Sequence, residues 1–239
     1  TLTGSVLLAH QDDPKINDRQ PSVIAPAYRA DQQPGENRSL GFDSENVQLK
    51  SWLPLGSLDG ADTGNDCWGY VSPSGREYAL MGTSSNTVIV EITNPGDAQV
   101  VATLSGPNSL WRDIKTYGTY MYCVSEGGGG IQVFNLANID NGNVQTLNSA
   151  GSGSTHNVAI DTESGFLYRT GGVADGMYIY SLANPAAPVQ VGSWTDRYIH
   201  DAQVVTYTDG PYAGRQIAFC CGGFNNGWNI AGMAHHVGI

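Results

Sequence analysis

Four short polar doublets recur along this chain: Asn65-Asp66, Arg112-Asp113, His156-Asn157 and His200-Asp201. Their starts lie 47, 44 and 44 residues apart. Asp66, Asp113, Asn157 and Asp201 are hard oxygen donors, the ligand type that suits Ca²⁺. His156 and His200 offer imidazole to a transition metal instead. A third reading is structural. Buried Asp and His need partners wherever they lie, so a repeating doublet also serves as a hydrogen-bond network between repeating units. Composition and spacing leave all three open.

Other constellations carry less. No GxSxG nucleophile elbow is present, and no catalytic set stands out. The run Gly127-Gly128-Gly129-Gly130 lies between two strand-like segments, so it reads as a flexible turn and not a phosphate loop. His235-His236 read as a surface pair. Trp52, Trp111, Trp194 and Trp228 offer a carbohydrate platform, but Trp52 and Trp194 hold equivalent positions and read as packing between units. Cys67, Cys123, Cys220 and Cys221 match no zinc spacing; either disulfides, including a strained Cys220–Cys221 bridge, or free thiols fit them.

What places the doublets is a repeat. NDCWGYV, RDIKTYG, HNVAIDT and HDAQVVT each open on a doublet and run on as a strand. Second strands follow tight turns: REYALMG, TYMYCVS, GFLYRTG and RQIAFCC. Leu80, Cys123, Arg169 and Cys220 then share one column. Third strands, VIVEITNP, IQVFNLAN and YIYSLANP, align Asn94, Asn138 and Asn184. Outer strands QVVATL, NVQTL and VQVGSW complete the quartets.

Four antiparallel strands repeating roughly every 43 to 51 residues predict an all-β propeller of four-stranded blades. The predicted organisation is an extended polar arm over 1–45 and a propeller over 46–239. Within the propeller lie an isolated outer strand at 47–52, blades at 65–104, 111–147 and 156–194, a partial blade at 200–222 and an irregular tail at 223–239. On this register the propeller is incomplete within the chain, and the 47–52 strand is expected to complete the last blade. The arm carries a glycosylation sequon at Asn37-Arg38-Ser39.

Charge and hydropathy limit the partners. Eleven Lys and Arg against 22 Asp and Glu give a net charge of −11. No basic cluster exists, which excludes nucleic acid and disfavours anionic lipid. No apolar run approaches the roughly 20 residues that span a bilayer, so no transmembrane segment is expected.

The ordered motifs GNDCWGYVSPSGREYALMG, NSLWRDIKTYG, SEGGGGIQVFNL, THNVAI and IHDAQVV resemble the choice-of-anchor B family. The third strands are similar to those of LVIVD-repeat propellers. The resemblance covers residues 45 to 225 or so, and the tail from Trp228 to Ile239 departs from it. It implies an exported protein held at the cell surface by one of several anchors, with no catalytic activity to carry over. The expected function is therefore a non-enzymatic extracytoplasmic module, periplasmic, surface-bound or secreted, that binds or scaffolds a protein partner in an envelope complex. A Ca²⁺-dependent hydrolase at the channel mouth and a glycan-binding module are the alternatives.

Overall fold

The computed structural model describes residues 25–32, 45–172, 175–222 and, for the backbone, 234–238. Strand β1 (Tyr28–Arg29) pairs antiparallel with β2 (Ser51–Trp52), and one helical turn follows at Leu55–Leu58. Blade 1 comprises β3 (Gly64–Val71), β4 (Glu77–Thr83), β5 (Asn86–Glu91) and β6 (Gln99–Ser105), in that order across the sheet. Blade 2 comprises β7 (Arg112–Tyr117), β8 (Tyr120–Ser125), β9 (Gln132–Asn135) and a short β10 (Gln145–Thr146). Blade 3 comprises β11 (Asn157–Asp161), β12 (Phe166–Thr170), β13 (Met177–Ser181) and β14 (Val189–Trp194). Blade 4 comprises β15 (Asp201–Thr206), β16 (Gln216–Cys221) and β17 (Ala234–Gly238). The protein is a β-propeller of antiparallel blades.

Local chemistry sets these strands. At the Gly118-Thr119 turn, Tyr117 pairs directly with Tyr120, and Gly118 takes φ 56°, a left-handed value that glycine adopts without Cβ strain. The aligned asparagines end the third strands. Asn94 accepts from the Gly96 amide at 3.2 Å, and Asn184 accepts from the Ala186 amide at 3.3 Å, so each side chain caps the turn that follows. The outer strands β6 and β14 carry the same irregularity: register shifts between Ile89 and Val90, and again between Ile179 and Tyr180. Val101 and Val191 are the extra residues of these two bulges.

The core lies between blades, which is why the sheets stack radially. Tyr70, Leu80 and Ile89 of blade 1 pack on Ile114, Met121, Phe134 and Leu136 of blade 2. Tyr122, Val124 and Val133 of blade 2 pack on Val158, Leu167 and Leu182 of blade 3. Tyr168 and Met177 of blade 3 pack on Ala202, Val204, Ala218 and Cys220 of blade 4. Each fully buried Leu, Ile or Phe contributes about 1.5–3 kcal/mol, so the joints and not the isolated sheets hold the fold. The inner strands adjoin in sequence, β3 to β7 to β11 to β15.

Two expectations change. The 47–52 segment does not join blade 4: only Ser51 and Trp52 are in a strand, and their partners are Arg29 and Tyr28 of the arm. The arm wins because it anchors well. Tyr28 is buried, Arg29 Nε donates to the Ala98 carbonyl at 2.7 Å, and the Asp31 carboxylate accepts from Asn94 at 2.7 Å over Gly96. Val47, by contrast, is 72% exposed. In the tail, read from sequence as irregular, β17 pairs with β16 from Ile217–Gly238 to Cys221–Ala234. Its sequence, AHHVG, lacks the apolar run of the other third strands and gives no strand signal by itself. The sequon at Asn37, the arm segments 1–24 and 33–44, Trp228 and the rest of the tail lie outside the described residues, as do the side chains of His235 and His236.

Candidate functional site

The doublets stand where the inner strands begin, and their side-chain oxygens accept from backbone amides. Asn65 Oδ1 accepts from the Arg112 amide at 2.9 Å. Asp66 Oδ2 accepts from the Ile114 amide at 3.3 Å. One blade on, Asp113 Oδ2 accepts from the Val158 amide at 2.7 Å. Side chains of one inner strand thus hold the backbone of the next. Asp113 Oδ1 also accepts from Ile114 N at 2.7 Å and from Lys115 Nζ at 2.5 Å. Asn157 holds the equivalent place on β11, and Asp201, exposed on β15, accepts from its neighbour Ala202 N at 2.6 Å.

Burial and the neighbouring Asp66 carboxyl push the Asp113 carboxyl up to about 7, against the opposing pull of Lys115. Lys115 lies 3.7 Å from Asp66 and 4.5 Å from the centre of the Trp68 ring. It supplies a cation where the sequence reading supplied none. Among the described residues, no three His, Cys, Asp or Glu side chains converge as a metal site. The structure therefore brings Asp66 and Asp113 together as an inter-blade joint with Lys115 between them.

Both histidines converge on a different group. The His156 and His200 rings are 4.2 Å apart, and Trp111 meets His156 edge-on at 5.7 Å. His156 Nδ1 shares a 2.7 Å hydrogen bond with Glu126 Oε1, and both side chains are nearly buried. Tyr198 stands beside Glu126, and burial and that carboxylate push its phenol upward. Trp111, His156 and His200 each lie at the start of an inner strand, on three consecutive blades. Glu126 follows β8 in the loop before β9. All belong to the face on which the inner strands begin, here called the entry face.

This grouping is chemically capable. A carboxylate bound to one imidazole nitrogen fixes the ring's orientation and favours a proton there, the arrangement that primes imidazole as a general base or a polar anchor. Sequence reasoning selected His156 and His200 but not Glu126, because the glycine run after it reads only as a turn.

Arg112, first member of its doublet, is 1% exposed. It donates to the Thr83 carbonyl at 3.2 Å, the Pro107 carbonyl at 2.7 Å and Gln132 Oε1 at 3.3 Å, bracing the loop between blades 1 and 2. Arg169, from the second strand of blade 3, braces the next such loop through the Ser152 carbonyl at 3.0 Å. Its place in a column with Leu80, Cys123 and Cys220 was the signal of a special role. Trp194 packs into the joint between blades 3 and 4, whereas Trp52 pairs with Tyr28 of the arm and is not its counterpart in a blade. All four cysteines are free thiols.

No protein-family profile and no curated protein matches the chain. Solved structures resemble it in part. A Bacteroides uniformis protein assigned as a 6-phosphogluconolactonase aligns at 13% identity and TM-score 0.45, over 64% of this chain and 46% of that one. A Bacteroides fragilis protein with the same assignment aligns at 15% identity and TM-score 0.42, over 68% and 49%. Kuenenia stuttgartiensis hydrazine synthase aligns at 12% identity and TM-score 0.40, over 67% and 44%. The chain spans less than half the length of each, and at these identities the likeness concerns fold alone.

Proposed function

We propose that this chain is a non-enzymatic extracytoplasmic β-propeller that docks a protein partner of a membrane-associated complex on its entry face. The observation that carries this reading is the row Trp111, His156, His200, assembled from three consecutive blades into one surface. An aromatic ring such as that of Trp111 is the kind of group on which binding energy concentrates, and the nearly buried His156, braced by Glu126, stands beside it. The carboxylates of Asp66 and Asp113 join blade to blade, a structural role that leaves the entry face for docking. The extracytoplasmic and membrane-associated parts rest on the family resemblance alone.

The test is native electrophoresis of freshly extracted, tagged chain. Wild type is expected to run as a complex, and Trp111→Ala with His200→Ala to run at the mass of the chain alone with an unchanged melting temperature. A wild-type chain that already runs at its own mass removes the proposal.

A hydrolase at the channel mouth is the second reading, favoured by the Glu126–His156 pair. It requires turnover of an ester or lactone that disappears in His156→Gln while the fold persists. Metal analysis of the same two proteins decides whether Ca²⁺ belongs to it.

A further inference from the structure

A cavity of about 260 Å³ opens at the joint between blades 2 and 3, and Arg169 lies in its wall. The side chain is deeply buried, the residue being 7% exposed. Its hydrogen-bond acceptors are all neutral. Nε donates to Thr155 Oγ1 at 2.9 Å, Nη1 to the Tyr180 hydroxyl at 3.2 Å, and Nη2 to Thr155 Oγ1 and to the carbonyls of Ser152 at 3.0 Å and Ser154 at 3.5 Å. No carboxylate among the described residues pairs with it. A guanidinium carries five N–H donors, and among the described residues Nη1 has one acceptor, the Tyr180 hydroxyl. Tyr180 in turn donates to Gln190 Oε1 at 3.3 Å at the rim.

Burying a charge without a counter-charge is costly. Arg112, the comparable arginine one joint earlier, lies within the field of the Asp59 carboxylate, and its surroundings are filled by Gly106 and Gln132. Arg169 has no such carboxylate among the described residues, although Gly151 lies against its Nη1 as Gly106 lies against that of Arg112. Arg169 instead forms part of the wall of a cavity also lined by Ser154, Thr170 and Tyr178.

We infer that this cavity is a binding site for a carboxylate group. A single cation matches a monoanion. A phosphate dianion would bring two charges to one guanidinium inside a chain of net charge −11, which raises its cost. Guanidinium and carboxylate also match in hydrogen-bond geometry. At this volume the site takes a group of side-chain size or a short-chain acid, below the roughly 300 Å³ at which drug-sized ligand sites begin. The inference stands independently of partner docking on the entry face, because a free acid satisfies it equally.

The experiment is an NMR titration of the ¹⁵N-labelled chain, following the Arg169 Nε–H resonance, assigned through Arg169→Lys. The probes are sodium propionate, the capped peptide acetyl-Gly-Glu-Gly-amide and, at matched ionic strength, sodium chloride. A saturable shift with propionate identifies a free acid, and one with the peptide alone identifies an acidic side chain of a partner. Gln190→Glu sets a fixed carboxylate at the exposed rim beside Tyr180 and should weaken the response roughly tenfold without lowering the melting temperature. Responses that fail to saturate, that chloride reproduces, or that Gln190→Glu leaves unchanged overturn the inference.

Discussion

The Asp113 carboxylate crosses from blade 2 to blade 3 and accepts the Val158 amide at 2.7 Å. The same carboxyl is pushed up to about 7 by burial and by Asp66. Its folded-state pKa therefore exceeds the unfolded value near 3.9. The folded chain holds this proton more tightly, so the associated stability is full below about pH 4 and is lost as pH rises through about 7. The Asp113 contribution to the urea midpoint should fall with pH across that window in wild type, against the opposite contributions of Asp59, Glu91, Asp140 and Asp161, whose carboxyls are held low. In Asp113→Asn, which keeps an acceptor for Val158, the Asp113 share of the slope should vanish. An unaltered slope would show that the carboxyl titrates normally.

Arg112 offers a sharper test of the joints. Arg112→Met removes the Arg112 donor from the Thr83 carbonyl and leaves the Pro107 carbonyl only the long bond from the Ser125 hydroxyl. A cost of about 3 kcal/mol is expected by chemical denaturation. Arg112→Lys should recover only part of it, because an ammonium cannot serve three separated acceptors in the fork geometry of a guanidinium. Full recovery by lysine would mean that charge alone matters there.

Two glycines with left-handed φ separate backbone strain from crowding. Gly118 has φ 56° and open space where a Cβ would stand, so Gly118→Ala should cost about 1–2 kcal/mol from strain alone. Gly130 has φ 65°, and a Cβ there would lie 2.6 Å from the Ala150 carbonyl oxygen and 2.7 Å from that of Gly151. Backbone cannot yield as a side chain does, so Gly130→Ala should lower the melting temperature clearly further. Equal losses would contradict the crowding.

Thiol labelling should sort the cysteines by burial. Cys67 and Cys221 are exposed, whereas Cys123 and Cys220 are buried, their thiols pushed up to about 12 and about 11 by desolvation. Because the thiolate is the reactive form, iodoacetamide at pH 8 should modify Cys67 and Cys221 in the native protein and the other pair only after unfolding. Early modification of Cys123 by peptide mass spectrometry would refute its placement.

The repeat was legible because strand periodicity and doublet spacing are local properties. The inner strand opening on Arg112-Asp113, the turn at Gly118 and the caps at Asn94 and Asn184 follow from residue type and position. Even the split roles within a doublet were foreseeable, since neighbouring side chains point to opposite faces of a strand. Glu126 was not, because its meeting with His156 depends on how a glycine-rich loop folds back. β17 was hidden because pairing with β16 overrides a weak strand sequence. The contact of Lys115 with Asp66 was hidden because it depends on the separation of two blades, although its bridge to Asp113 lies within one strand.

At the axial joints, the acceptor side chain belongs to the earlier blade and the captured amide to the later one: Asn65 with Arg112, Asp66 with Ile114, Asp113 with Val158. The molecule thus has a built-in direction of growth. From blade 1 through blade 3, each earlier sheet displays the side-chain acceptors that align the backbone of its successor.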